Sequence, residues 1–169
     1  MQKDTVMMSE TKRHMAIDPG TTTGICMLEV THDYIHTPYF TQIKPTAQVA
    51  EFVRDLLGVG LDTIVLETFH IGDKTHGASR QGLEDALNLI GWVNIEFGSM
   101  YHLRTKVVHQ SPSLGKTISD DILKGMNWYT PGKRHQNDAG LHMVRYLLNQ
   151  KHKGMRDMYR KAADGEPHS

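Results

Sequence analysis

A single cysteine, Cys26, stands in 169 residues, which excludes an intrachain disulfide framework and a zinc site built on thiolates. No apolar run approaches the ~20 residues a membrane-spanning helix needs. The polar opening Met1-Gln2-Lys3-Asp4 has no signal-peptide core. A reducing, cytoplasmic setting without a membrane partner is therefore expected. An excess of one charge is also missing, since 19 Lys+Arg balance 19 Asp+Glu. That balance looks unpromising for a nucleic-acid partner, but it holds only in sum. Residues 1–100 carry seven Lys+Arg against thirteen Asp+Glu, and residues 101–169 carry twelve against six. Such asymmetry can set a basic surface beside an acidic pocket, as metal-dependent work on a phosphate backbone requires. It equally suits acidic and basic faces that complement each other inside a fold.

What is present is enough for one ordinary domain: 38% hydrophobic and 22% charged residues, in a chain long enough to bury a core. Residues 1–13 are polar and Met-rich without periodicity and read as a flexible leader. His14–Ile17 reads as a short buried strand, followed by the turn Asp18-Pro19-Gly20-Thr21-Thr22-Thr23-Gly24. Ile25–Val30 is a second strand and Tyr34–Ile43 a third, with Pro38 marking an edge or a break. Thr46 is placed to cap a helix whose buried stripe is Val49, Phe52, Val53, Leu56 and Leu57, stopped by Gly58 and Gly60. Thr63–Leu66 is continuous and β-branched, the pattern of a central parallel strand.

A polar loop over 72–77 precedes a helix from about Ser79, with Leu83, Leu87, Ile90 and Phe97 at helical spacing. Val107-Val108 marks a fifth strand. Residues 110–134 are irregular, with one short helix near Asp120–Lys124. A last helix spans about His135–Asn149, and residues 151–169 read as a basic flexible tail. The order predicts an α/β fold: a three-stranded antiparallel meander continued by parallel strands, a five-stranded mixed sheet flanked by helices, occupying 14–150.

The chemistry concentrates at strand ends. Asp18 closes the first strand, Glu67 closes the fourth, and His135 and Asp138 open the last helix at a spacing of three. In parallel α/β units ligand chemistry collects at the carboxyl ends of strands, and right-handed crossovers make Asp18 and Glu67 neighbours if their strands pair. Carboxylates brought together are costly unless a proton or a metal neutralises them, and this set with one imidazole suits Mg2+ or Mn2+. Singly, each residue has an ordinary alternative: Asp18 as a turn former, Glu67 at a solvated strand end, Asp138 complementing a helix dipole.

Together, Ala16-Ile17-Asp18-Pro19-Gly20-Thr21-Thr22-Thr23-Gly24, Val65-Leu66-Glu67 and His135-Gln136-Asn137-Asp138-Ala139, in that order and on those elements, resemble the RuvC-like Holliday-junction resolvases of the RNase H-like nuclease superfamily. The resemblance covers about residues 14–149. It implies a homodimeric, metal-dependent endonuclease acting on branched DNA, especially four-way junctions, with two ions per active site. One ion would activate water and the other would stabilise the leaving 3′ oxygen, giving a 5′-phosphate and a 3′-hydroxyl. Asp18 would bridge the ions, Glu67 and Asp138 would complete the acidic set, and His135 would be a ligand or a proton shuttle. Resolvases place an aromatic shortly after the strand-end Glu, where this chain has Phe69 and His70 at a slightly shorter distance. Its small size and its terminal segments suit a phage or mobile element, which would place it in the host cytoplasm.

Candidate DNA-backbone contacts are Lys74 and Arg80 after Glu67, Lys116, and Lys133-Arg134 beside the proposed metal site. His142 and Arg145 follow Asp138 on one helix face, where two roles are open: support of the metal site or a contact to phosphate, and, favoured of the two, a partly exposed polar stripe. Gly115-Lys116-Thr117 is not a phosphate loop, because the earlier glycine position is Gln110. The Asp18–Gly24 turn also resembles that of actin-like sugar kinases, but those need a second such domain and would leave His135 and Asp138 unexplained. Competing functions are a broader flap, fork, single-strand or RNA nuclease, and a catalytically silent binding module of the same fold.

Overall fold

The computed structural model describes residues 10–44, 47–57, 60–68, 80–98, 105–115 and 117–165. Five strands form one mixed sheet in the order β3-β2-β1-β4-β5. Strands β1 (Lys12–Asp18), β2 (Thr23–Val30) and β3 (Tyr39–Ile43) make the antiparallel meander. Strands β4 (Thr63–Glu67) and β5 (Lys106–Gln110) extend it in parallel from the other side of β1. This is the expected α/β architecture.

Alternation along the strands divides the core in two, because successive side chains point to opposite faces. Met15, Ile17, Ile25, Ile64 and Leu66 face one side, where Val49 and Val53 of α1 (Ala47–Leu57) and Leu89, Val93 and Phe97 of α2 (Arg80–Gly98) cover them. Ala16, Cys26, Leu28 and Val65 face the other, beneath Leu123 of α4 (Asp120–Gly125) and Met143, Val144 and Leu147 of α5 (Arg134–Asn149). A single turn, α3 (Pro112–Gly115), follows β5.

Four expectations change. The first strand begins at Lys12 rather than His14, inside the stretch read as leader. The third is shorter than Tyr34–Ile43: residues 31–34 make a turn, Val30 and Ile35 form an isolated bridge, and regular pairing starts after Pro38. Helix α2 buries Ala86, Leu89, Val93 and Phe97, whereas Leu87 lies exposed. Its apolar residues occupy more than one face, so spacing alone does not reveal the inward one. Finally, the basic stretch after Asn149 is not a flexible tail through Asp164. It forms α6 (Lys153–Asp164), with Met155 fully buried and Met158, Tyr159 and Ala162 against the core. Those apolar residues fall at helical spacing among five cations, and Gly125 of α4 lets Ala162 approach closely.

Thr46, Gly58, the 72–77 loop and Ser79 lie outside the described residues. No helix among the described residues is long and apolar enough to cross a membrane.

Candidate active site

Parallel pairing of β1 and β4 sets Ile17 against Leu66, so the next residues, Asp18 and Glu67, are side-by-side carboxylates at the sheet's carboxyl edge. The first turn of α5 crosses that edge. Gly24 permits the crossing, because a Cβ there would fall inside the backbone of His135. Gln42 accepts a hydrogen bond from the Gln136 N–H at 3.4 Å. Asn137, which is buried, accepts from the Thr130 N–H at 3.0 Å and donates to its carbonyl at 2.9 Å. These contacts hold the approach to α5 and so fix where His135 and Asp138 point.

Asp18, His135 and Asp138 converge: one ligand atom from each lies within 4.8 Å of the other two. His135 Nδ1 is 2.7 Å from Asp18 Oδ2. Burial pushes the Asp18 carboxyl up to about 7, against the stabilising bond from His135 and with further push from Glu67 and Asp138. His135 is raised chiefly by that same bond, and Asp138 by burial. Carboxyls held this high in a tight cluster are short of positive charge. A donor set of two carboxylates and an imidazole, with a third carboxylate adjacent, fits a hard or borderline divalent cation.

Glu67 is the expected ligand that is not within this group. It faces His142, whose Nε2 lies 2.6 Å from Glu67 Oε2 and whose Nδ1 lies 2.8 Å from Gln110 Oε1. His142 is not part of an exposed stripe: it is 2% exposed. The favoured reading fails because α5 is buried along nearly its whole length, including this face, and the contact with Glu67 fits the alternative, a residue that supports the acidic set. With Glu67 ionised, an N–H of His142 points at it whether Gln110 presents its carbonyl or its amide. Gln110 pairs with Glu67 in the β4–β5 ladder, and Thr68 continues that ladder through both its N–H and its hydroxyl to the Gln110 carbonyl. Gln110 carried no sequence signal of its own; its position at the carboxyl end of the fifth strand was the only available hint.

Lys133 and Arg134 are exposed at the start of α5, with Arg134 Nε 3.6 Å from Asp138 Oδ2. Arg80 opens α2 and pairs with Glu84 at 2.8 Å, an exposed contact with no described link to the acidic cluster. Phe69, His70, Lys74 and Lys116 lie outside the described residues.

The sheet order, the meander continued by parallel strands, and the helix across the carboxyl edge give an RNase H-like fold, one shared with the solved structures that the chain is similar to. Thermus thermophilus RuvC aligns over 83% of this chain and 97% of its own, at 12% identity and a TM-score of 0.53. The same protein in complex with a Holliday junction substrate aligns over 84% and 98%, at 13% identity and 0.52. Fowlpox virus resolvase, in complex with Holliday junction DNA, aligns over 82% and 98%, at 17% identity and 0.53. No family model and no curated protein sequence matches the chain.

Proposed function

We propose that this protein is a metal-dependent, structure-selective DNA endonuclease that cleaves four-way junctions. The observation that carries the reading is the convergence of Asp18, His135 and Asp138 beside Glu67 on a resolvase fold. Asp18, Glu67, His135 and Asp138 would hold two Mg2+ or Mn2+ ions, which supply charge stabilisation and an activated water for in-line displacement, leaving a 5′-phosphate and a 3′-hydroxyl. The chain's own residues do the remaining work. Before a cation binds, Asp18 orients the His135 ring and shares a proton with it across their 2.7 Å contact. His142 and Gln110 hold Glu67 in place, and Asn137 ties the first turn of α5 to Thr130 in the segment that leads into it. Arg134 and Lys133 stand at the rim, where a scissile phosphate's neighbours would pass.

Symmetric cuts on a junction need two sites related by a twofold axis, so the reading includes a homodimer. Helix α2 offers a surface for it: exposed Leu87 and Ile95 lie on one face with Gly91 between them, where a Cβ would meet open space.

The test compares four-way junction, flap, fork, duplex and single-stranded substrates with Mg2+ or Mn2+. Paired cuts confined to the junction, absent in Asp138→Asn and Asp18→Asn proteins that still bind it, are the expected result. Equal cutting of flaps, single strands or RNA would keep the metal site and broaden the substrate. Ordinary cleavage by either variant would overturn the site assignment.

A further inference from the structure

The two oxygens of Glu67 are not equivalent. Oε2 lies 2.6 Å from His142 Nε2, and the other ring nitrogen lies 2.8 Å from Gln110 Oε1. The histidine side chain is 2% exposed and that of Glu67 15%, so water is poorly placed to take over the contact. A hydrogen bond to an ionised carboxylate in such surroundings is among the stronger ones. The ring has little freedom of its own. It leaves α5 between buried Leu141 and Met143, and buried Gln110 is fixed opposite Glu67 in the β4–β5 ladder.

The other histidine contact at the site differs in kind. Asp18 bonds His135 inside the group of converging donors, so a cation takes the place of that contact. His142 lies outside the group, and both its nitrogens are engaged, so the ring does not turn into a ligand. Divalent cations differ in what they ask of a carboxylate. Ca2+ takes about six to eight oxygens and often both oxygens of one carboxylate, whereas Mg2+ and Mn2+ hold to octahedral sites with about six ligands.

On the metal-dependent reading of the site, we propose that His142 makes Glu67 a one-oxygen ligand and so tunes the site toward Mg2+ and Mn2+ and against Ca2+. With Oε2 held by the ring N–H, Oε1 is the oxygen left to face a cation. Chelation through both oxygens would set the cation's charge against that donor and give up part of a buried hydrogen bond. His142 is thus a positioning residue that acts through Glu67, and Gln110 acts through the ring.

The test titrates the full-length protein, without DNA, with Mn2+ and with Ca2+ by calorimetry and reads the ratio of the two affinities. Broadening of the His135 NMR signals by Mn2+ locates the ion. An imidazole in the donor set favours Mn2+ in any case, so the parent's preference decides nothing and its change on substitution decides everything. His142→Ala should shift the ratio toward Ca2+ by about tenfold, the worth of one hydrogen bond to a charged group. His142→Gln, whose amide N–H replaces that of the ring, should keep the parent ratio. Gln110→Leu should move it the same way as His142→Ala but by less, and carries the test alone if His142→Ala does not fold. An unmoved ratio overturns the proposal, including equal weakening of both ions, which is what a merely structural histidine would give. A ratio displaced as far by His142→Gln as by His142→Ala overturns it too. No saturable binding by the parent, or binding untouched by Asp18→Asn, would instead sink the metal-site reading on which the proposal stands.

Discussion

His142 and Glu67, 75 residues apart in the chain, meet through a 2.6 Å contact between Nε2 and Oε2, and Gln110 holds the other ring nitrogen at 2.8 Å. The carboxylate that closes β4 is therefore oriented from behind by a histidine one turn along the same helix that supplies Asp138. Partners of this kind set the direction of a metal-binding group, and their removal typically costs about 10–100-fold in affinity or activity.

His142→Ala should lower junction cleavage by about 10–100-fold while leaving junction binding near the parent value. The same change should cost about 1–3 kcal/mol of stability, because Glu67 and Gln110 both lose a buried partner. Gln110→Ala should have the smaller effect on cleavage, since it acts on Glu67 only through the ring. Single-turnover rates and thermal melts of both variants check the order. Parent-level cleavage by His142→Ala would remove the support for a positioned Glu67.

Gly24→Ala places a methyl group where the His135 backbone runs. Helix α5 must move away from the sheet edge, carrying His135 and Asp138 with it. We expect a loss of about 1–3 kcal/mol, as for other overpacking changes, with cleavage reduced far more than DNA binding. Denaturant unfolding with parallel cleavage and binding assays separates the two effects.

Metal-free stability should fall as pH rises from about 4 to 7. The folded state keeps protons on Asp18, held at about 7, and on raised Asp138, which the unfolded chain has already released, so stability declines with pH across that window. His135 acts in the same direction: its raised value stabilises below its ordinary range and that contribution is lost as pH climbs through the folded value. Added Mg2+ or Mn2+ competes with those protons and should raise Tm more at pH 8 than at pH 6. At a hundred times Kd the gain is about 2.7 kcal/mol, equivalent to roughly 5–10 °C. An equal shift at both pH values, or none, would argue against a cation at this cluster.

Leu87→Glu combined with Ile95→Glu places two charges on the exposed face of α2. On the proposed homodimer, sedimentation should show dimers for the parent and monomers for this variant, and paired junction cuts should give way to single nicks. The fold should survive, because neither side chain belongs to the buried face that Leu89, Val93 and Phe97 occupy.

Much of this was legible in the residues because the relevant signals are local. Met15-Ala16-Ile17 and Thr63–Leu66 announce buried strands, Asp18 and Glu67 close them, and His135 and Asp138 share one face of a helix by spacing alone. Period two for strands and 3.6 for helices carry that information within a few residues. The inward face of α2 was not legible, since its apolar residues occupy more than one side. Nor was α6, whose Met155, Met158, Tyr159 and Ala162 keep helical spacing but are outnumbered by charge. By itself the sequence determined the element order, the acidic strand ends and the histidine–aspartate pair. Only the tertiary structure decided that Glu67 turns to His142 and Gln110. That grouping depends on parallel register and on where α5 packs, which are set by burial across distant segments rather than by any neighbour in the chain.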